Sequence, residues 1–73
     1  SVFAPGAELA EPATRPTEEA GYIVSGCLDL WIDGRAFNLT EGDSFRFARE
    51  PYRWRNPGSE PCVAVWVIAP PVY

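Results

Sequence analysis

An all-β fold is predicted for this chain of 73 residues, and three observations predict it. Apolar residues nowhere recur at three-and-four spacing for more than a turn, so no stable helix is expected. Short runs of period-two alternation follow one another along the sequence instead. Each run is closed by turn residues, and eight prolines and six glycines are spread through the chain. Many short strands with frequent turns describe a sandwich or a jelly-roll-like barrel.

Val2-Phe3-Ala4 reads as the tail of a strand already under way. Residues 4–17 are rich in proline and small side chains, which suits a loop or an irregular edge segment, because proline cannot donate to a sheet ladder. Residues 19–24 form the next strand, ending at Ser25-Gly26. In residues 27–32, Leu28, Leu30 and Ile32 share one face, while Asp29, Trp31 and Asp33 take the other. Asp33-Gly34 signals a tight turn, since glycine accepts positive φ without a Cβ clash, and it leads into a hairpin strand over residues 35–39. Glu41-Gly42-Asp43 turns the chain into residues 44–47, where Phe45 and Phe47 oppose Arg46. Pro51 interrupts before residues 52–56, in which Tyr52, Trp54 and Asn56 point one way and Arg53 and Arg55 the other. Asn56-Pro57-Gly58 makes the following turn. Residues 61–68 are almost wholly apolar, the pattern of a strand covered on both faces, and Pro70-Pro71 ends it.

A single domain of this length buries only ~60% of the surface its unfolded chain exposes, so marginal stability is expected unless another contact contributes. Two cysteines are too few for a disulfide framework, and Cys27 and Cys62 are read as reduced thiols of a cytoplasmic protein. No apolar run approaches the ~20 residues of a membrane-crossing helix, and no membrane partner is expected. The formal charge is −4 and all six basic residues are arginines. That balance excludes nucleic-acid binding by this segment, because phosphate neutralisation needs a basic face. Arg46, Arg49, Arg53 and Arg55 cluster in sequence, either as a solvated strand face or as an anion site or inter-domain contact. With Ser1 where a methionine would begin a protein, the chain is expected to be a fragment of a longer polypeptide.

The spacing of particular residues resembles the cupin superfamily, a double-stranded β-helix, across essentially the whole chain. Its first motif runs glycine, His-x-His, glutamate, glycine, and Gly6, Pro12, Thr14, Glu19 and Gly26 fall at those intervals. Its second motif maps onto Gly34, Thr40-Glu41-Gly42, Tyr52 and Asn56. The motif histidines are replaced by Pro12, Thr14 and Tyr52, and the sequence contains no histidine at all. A cupin metal needs imidazoles beside the carboxylate, and Glu19 alone cannot hold a transition metal, so no metal and no cofactor is expected. By the family's topology, the strand beginning at Cys27 lies against the final strand. That places Cys27 near Ile68 and Cys62 near Asp33, ~17 Å apart at strand rise, too far for a disulfide.

More narrowly, residues 18–26, the Leu-Asp-Leu-Trp and Gly-Asp-Ser-Phe-Arg-Phe runs, and Val65-Trp66-Val67-Ile68-Ala69-Pro70-Pro71 resemble the C-terminal cupin of bacterial transcription regulators. Those regulators carry an N-terminal helix-turn-helix of the xenobiotic-response-element type. The resemblance implies a sensing or dimerising barrel, a homodimer, and a DNA-binding domain preceding Ser1. No direct nucleic-acid contact by this domain is implied.

Outward from Glu19, alternation puts Gly21 and Ile23 on the same side, which family geometry makes the barrel lumen. Tyr52 and Trp54 are expected to face it from the neighbouring strand. Two readings stand: a plain hydrogen-bonded Glu19–Tyr52 pair, or a small-molecule effector site lined by Thr14, Glu19, Ile23, Tyr52 and Trp54. Trp31, outside the barrel, is either a chance exposure or an interface marker. Asp43 and Asn56 are read as turn-capping structural residues. No Gly-x-Ser-x-Gly, phosphate loop or Cys-x-x-Cys is present. The function classes are therefore a non-catalytic sensing or dimerisation module, and a metal-independent isomerase or lyase that uses Glu19 as acid or base with Tyr52 as its partner.

Overall fold

The computed structural model describes residues 1–69. Its strands are β1 (Val2–Phe3), β2 (Glu18–Ser25), β3 (Cys27–Ile32), β4 (Arg35–Thr40), β5 (Ser44–Ala48), β6 (Tyr52–Arg55) and β7 (Cys62–Ala69). One sheet has the order β1-β7-β2-β5 and the other β4-β3-β6, and every pairing is antiparallel. The all-β fold is as the alternation predicts. The sheets face each other across Ile23, Leu28, Leu30, Leu39, Phe47, Tyr52, Cys62 and Ala64, the side chains that alternation turns inward.

Gly26 is where the chain leaves one sheet for the other. It sits at φ +81, and a Cβ there would meet the Pro61 carbonyl oxygen at 2.7 Å and Cys62 Cα at 2.9 Å. Both the backbone angle and the space require glycine. The hairpin between β3 and β4 turns on Asp33 (φ 50) and Gly34 (φ 80), the paired positive angles of the type I′ turn that the Asp-Gly signal predicts. Asp43 caps its turn by accepting the Thr40 backbone N–H at 2.9 Å. Asn56, fully buried, donates to the carbonyls of Phe3 and Glu60 and accepts the Gly58 N–H. Both structural readings hold. The proline-rich segment is an irregular edge: Glu8 bridges Arg55 and Ala13 bridges Tyr52, so it extends the smaller sheet beyond β6.

Three expectations are corrected. The final strand is covered on one face only, with Val65 53% and Val67 56% exposed, because none of the described residues forms a third layer over it. The strand beginning at Cys27 pairs with β4 and β6, while β7 pairs with β1 and β2. Cys27 therefore lies beside Cys62, and its proximity, after burial, raises the Cys62 thiol pKa; both thiols are free. Finally, β6 faces β2 from the opposite sheet and is not its hydrogen-bonded neighbour. Pro70-Pro71 lies outside the described residues.

Candidate functional site

Glu19 stands near the start of β2 with its side chain turned between the sheets, 2% exposed. Its partner comes from β7: Trp66 Nε1 donates to Glu19 Oε1 at 2.9 Å. A buried carboxylate without such a donor would be strongly destabilising, and a hydrogen bond to a charged acceptor is among the stronger ones. Tyr52 approaches from the opposite sheet. Burial first, and then the Glu19 charge, push its phenol above the ordinary tyrosine range, while the Arg15 guanidinium pulls the other way.

Aromatic rings pack around this pair. The Trp66 ring lies 4.8 Å from Phe45, 6.2 Å from Tyr52 and 6.3 Å from Phe47. Phe3 meets Trp54 edge-on at 4.6 Å. Edge-to-face contacts of this kind add to the burial of the rings and hold the two sheets apart at a fixed spacing. Close by in sequence, Thr17 Oγ1 is buried with no hydrogen-bond partner among the described residues.

The structure thus brings Glu19, Tyr52 and Trp54 between the sheets. Ile23 shares the Glu19 face and is fully buried, but it lies four residues along the strand, roughly 13 Å away. Thr14 stands apart from them. It is Ala13 that bridges Tyr52 and packs against the core, so alternation turns Pro12 and Thr14 outward, and both are exposed. Trp66, Arg15 and Thr17 were not legible as site residues. The period-two pattern of Cys62, Ala64 and Trp66 was the available signal for Trp66, hidden by the apolar residues on the other face of β7.

The donor set does not fit the cupin metal. Among the described residues no three His, Cys, Asp or Glu side chains gather where an ion could sit, and Glu19 is already engaged by an indole N–H. Cys62 lies six residues along β7 from Ile68, the register partner of Glu19, roughly 20 Å away at strand rise. It cannot join Glu19.

Elsewhere the arginines disperse. Arg46 lies 4.0 Å from Glu18 on the outside of the larger sheet, while Arg53 stacks over Trp31 at 3.7 Å outside the smaller one. Trp31 is therefore half-buried under its cross-strand neighbour. A cleft of about 80 Å³ beside it is lined by Pro12, Gly34, Pro51, Tyr52 and Arg53. Another, of about 160 Å³, opens between β4 and β5 against Leu30, Phe37, Leu39 and Phe45.

Two antiparallel sheets, with the glycine turns in place and a buried glutamate at the old metal position, define a cupin barrel. The cupin domain family model matches residues 1–68, and the chain belongs to that family. It is similar to the cupin domain of an XRE family transcriptional regulator from Enterobacter cloacae, with 32% identity over 97% of this chain and 77% of that one, at a TM-score of 0.82. A protein from Thermus thermophilus superposes with a TM-score of 0.85 at 20% identity, over 94% of this chain and 67% of that one. A sugar phosphate isomerase of the cupin superfamily from Silicibacter pomeroyi superposes with a TM-score of 0.78 at 19% identity, over 93% of this chain and 46% of that one. The last two likenesses are of fold alone. No curated protein matches the sequence. Among the described residues, no helix is long and apolar enough to cross a membrane.

Proposed function

We propose that this domain is the non-catalytic, effector-sensing module of a cytoplasmic transcription regulator whose DNA-binding domain lies elsewhere in the polypeptide. The observation that carries the reading is the fate of the metal centre. The one ligand position that survives, Glu19, is committed to Trp66 Nε1, and the motif's histidine positions hold Pro12, Thr14 and Tyr52 in place of imidazoles. The likeness to the regulator cupin supports the context. The effector, in this reading, is a small organic molecule with a cationic or hydrogen-bond-donating group. It pairs with Glu19, and Tyr52 and Trp54 flank it.

The test is calorimetry on an effector found by thermal-shift screening of small amines, amides and polyols. Glu19→Gln keeps an oxygen for Trp66 Nε1 and removes only the charge. It is expected to weaken binding by about 1.5–3 kcal/mol, the range for a hydrogen bond to a charged group, with the fold intact by circular dichroism. Unchanged affinity would remove Glu19 from the site.

A further inference from the structure

The sandwich is closed along one edge and open along the other. Where β1 and β6 end their sheets, Phe3 and Trp54 meet edge-on at 4.6 Å and bridge the gap. Where β4 and β5 end theirs, no ring pair among the described residues joins them, and the cleft of about 160 Å³ lies between. Leu30 and Leu39 line its depth, both buried, and Phe37 and Phe45 stand on its two sides. The Phe45 ring takes the space over Gly21, where a Cβ would come within 2.6 Å of Phe45 Cε1. Glycine at that position therefore lets the ring settle against β2 and leaves the opening unfilled. The turn that joins β4 to β5 is itself tied to β2, with Gly42 N–H donating to the Ile23 carbonyl and Ile23 N–H to the Asp43 carbonyl, each at 2.9 Å. The cleft is thus formed before any ligand arrives.

We propose that this cleft binds a small amphipathic carboxylate, its apolar group held between Phe37 and Phe45 and its charge met by Arg35 and Arg46 at the lip. The site is distinct from the Glu19 effector position and does not rest on that reading. Size sets the apolar part, because an apolar cavity of about 150 Å³ holds a benzene ring. Charge sets the polar part. Arg46 lines the cleft, and the Arg35 guanidinium lies 5.6 Å over the Phe37 ring, so two cations border an otherwise apolar opening. Among the described residues Arg35 has no carboxylate within ion-pair distance, and Arg46 has only Glu18, 4.0 Å away with both side chains largely exposed. A pair so exposed contributes little, and a ligand carboxylate that accepts two guanidinium N–H bonds displaces it readily. Glu41 and Asp43 belong to the turn at the other end of the two strands, where Asp43 is engaged by the Thr40 N–H and hydroxyl. A cation would be repelled at this lip, and a neutral molecule would leave both arginines unused.

Titration of the isotopically labelled chain with 3-phenylpropanoate, followed by NMR, tests this against the neutral 3-phenylpropanamide. A ligand of that size in a preformed apolar cleft is expected to bind with a Kd of roughly 0.1–5 mM. The amides of Leu30, Phe37, Leu39 and Phe45 should shift most, and the neutral analogue should bind about five- to tenfold more weakly. The double variant Arg35→Gln/Arg46→Gln alters two exposed side chains, so the fold should persist by circular dichroism while the acid loses its advantage over the amide. Arg55→Gln removes one such charge from the far side of the smaller sheet and should preserve that advantage. Absence of any shift up to about 20 mM, equal binding of acid and amide, or loss of the preference in Arg55→Gln overturns the proposal. Shifts centred on Glu19, Tyr52 and Trp66 would overturn it too, by moving the ligand between the sheets.

Discussion

Tyr52 shows how one side chain can be structural and electrically poised at once. It stands in place of a cupin histidine, fills the core against Phe47 at 5.0 Å, and is held protonated by burial and by the Glu19 charge. The folded phenol has the raised pKa, so the unfolded chain loses its proton first. The stabilising contribution is therefore complete below the unfolded value of about 10 and is lost as pH rises through the folded value. Equilibrium unfolding from pH 7 upward should show this loss, and Tyr52→Phe should flatten it. A variant that keeps the full alkaline slope would assign the effect to Cys62, whose thiol is raised by the same cause, burial. Asn56 makes a complementary point: its place in a turn is readable from Asn-Pro-Gly, and its bond to Glu60 is local, but its bond to the Phe3 carbonyl reaches a segment far away in sequence.

At the scale of elements, the glycine turns separate backbone requirement from packing requirement. Gly34 (φ +80) has nothing within 4 Å of a would-be Cβ, whereas Gly26 (φ +81) meets Pro61 and Cys62 backbone atoms. Gly34→Ala should lower stability by about 1–2 kcal/mol, the left-handed penalty alone. Gly26→Ala carries that penalty and a backbone clash, and should lose clearly more, on the order of 3 kcal/mol or above. Denaturant midpoints measure both; equal losses would mean that the crossing between the sheets is looser than its 2.7 Å approach indicates. The strands were largely legible because alternation and turn residues are local signals. Their partners were less so: Cys27 was expected against the final strand and instead begins a strand between β4 and β6.

For the whole molecule, the substitution of the metal centre has a direct consequence. Protein purified without a histidine tag should hold well under one equivalent of Fe, Mn, Ni or Zn by elemental analysis, since a lone carboxylate bonded to an indole N–H does not assemble a transition-metal site. Near-stoichiometric metal would reverse the proposed function and return the chain to the metal-dependent cupins. A domain this small also gains little from its own core, so the apolar outer face is where additional burial is available.

The sequence alone determined the all-β class, the strand boundaries to within a residue or two, the turns at Gly34 and Gly42, and the loss of the imidazole ligands. Each of these is written in neighbouring residues or in composition. Only the tertiary structure decided that Trp66 answers Glu19, that Ala13 and not Thr14 meets Tyr52, and that β7 leaves its valines uncovered. These depend on register between strands distant in the chain. A shift of one residue in register exchanges the inward and outward faces, and nothing local to either strand specifies it.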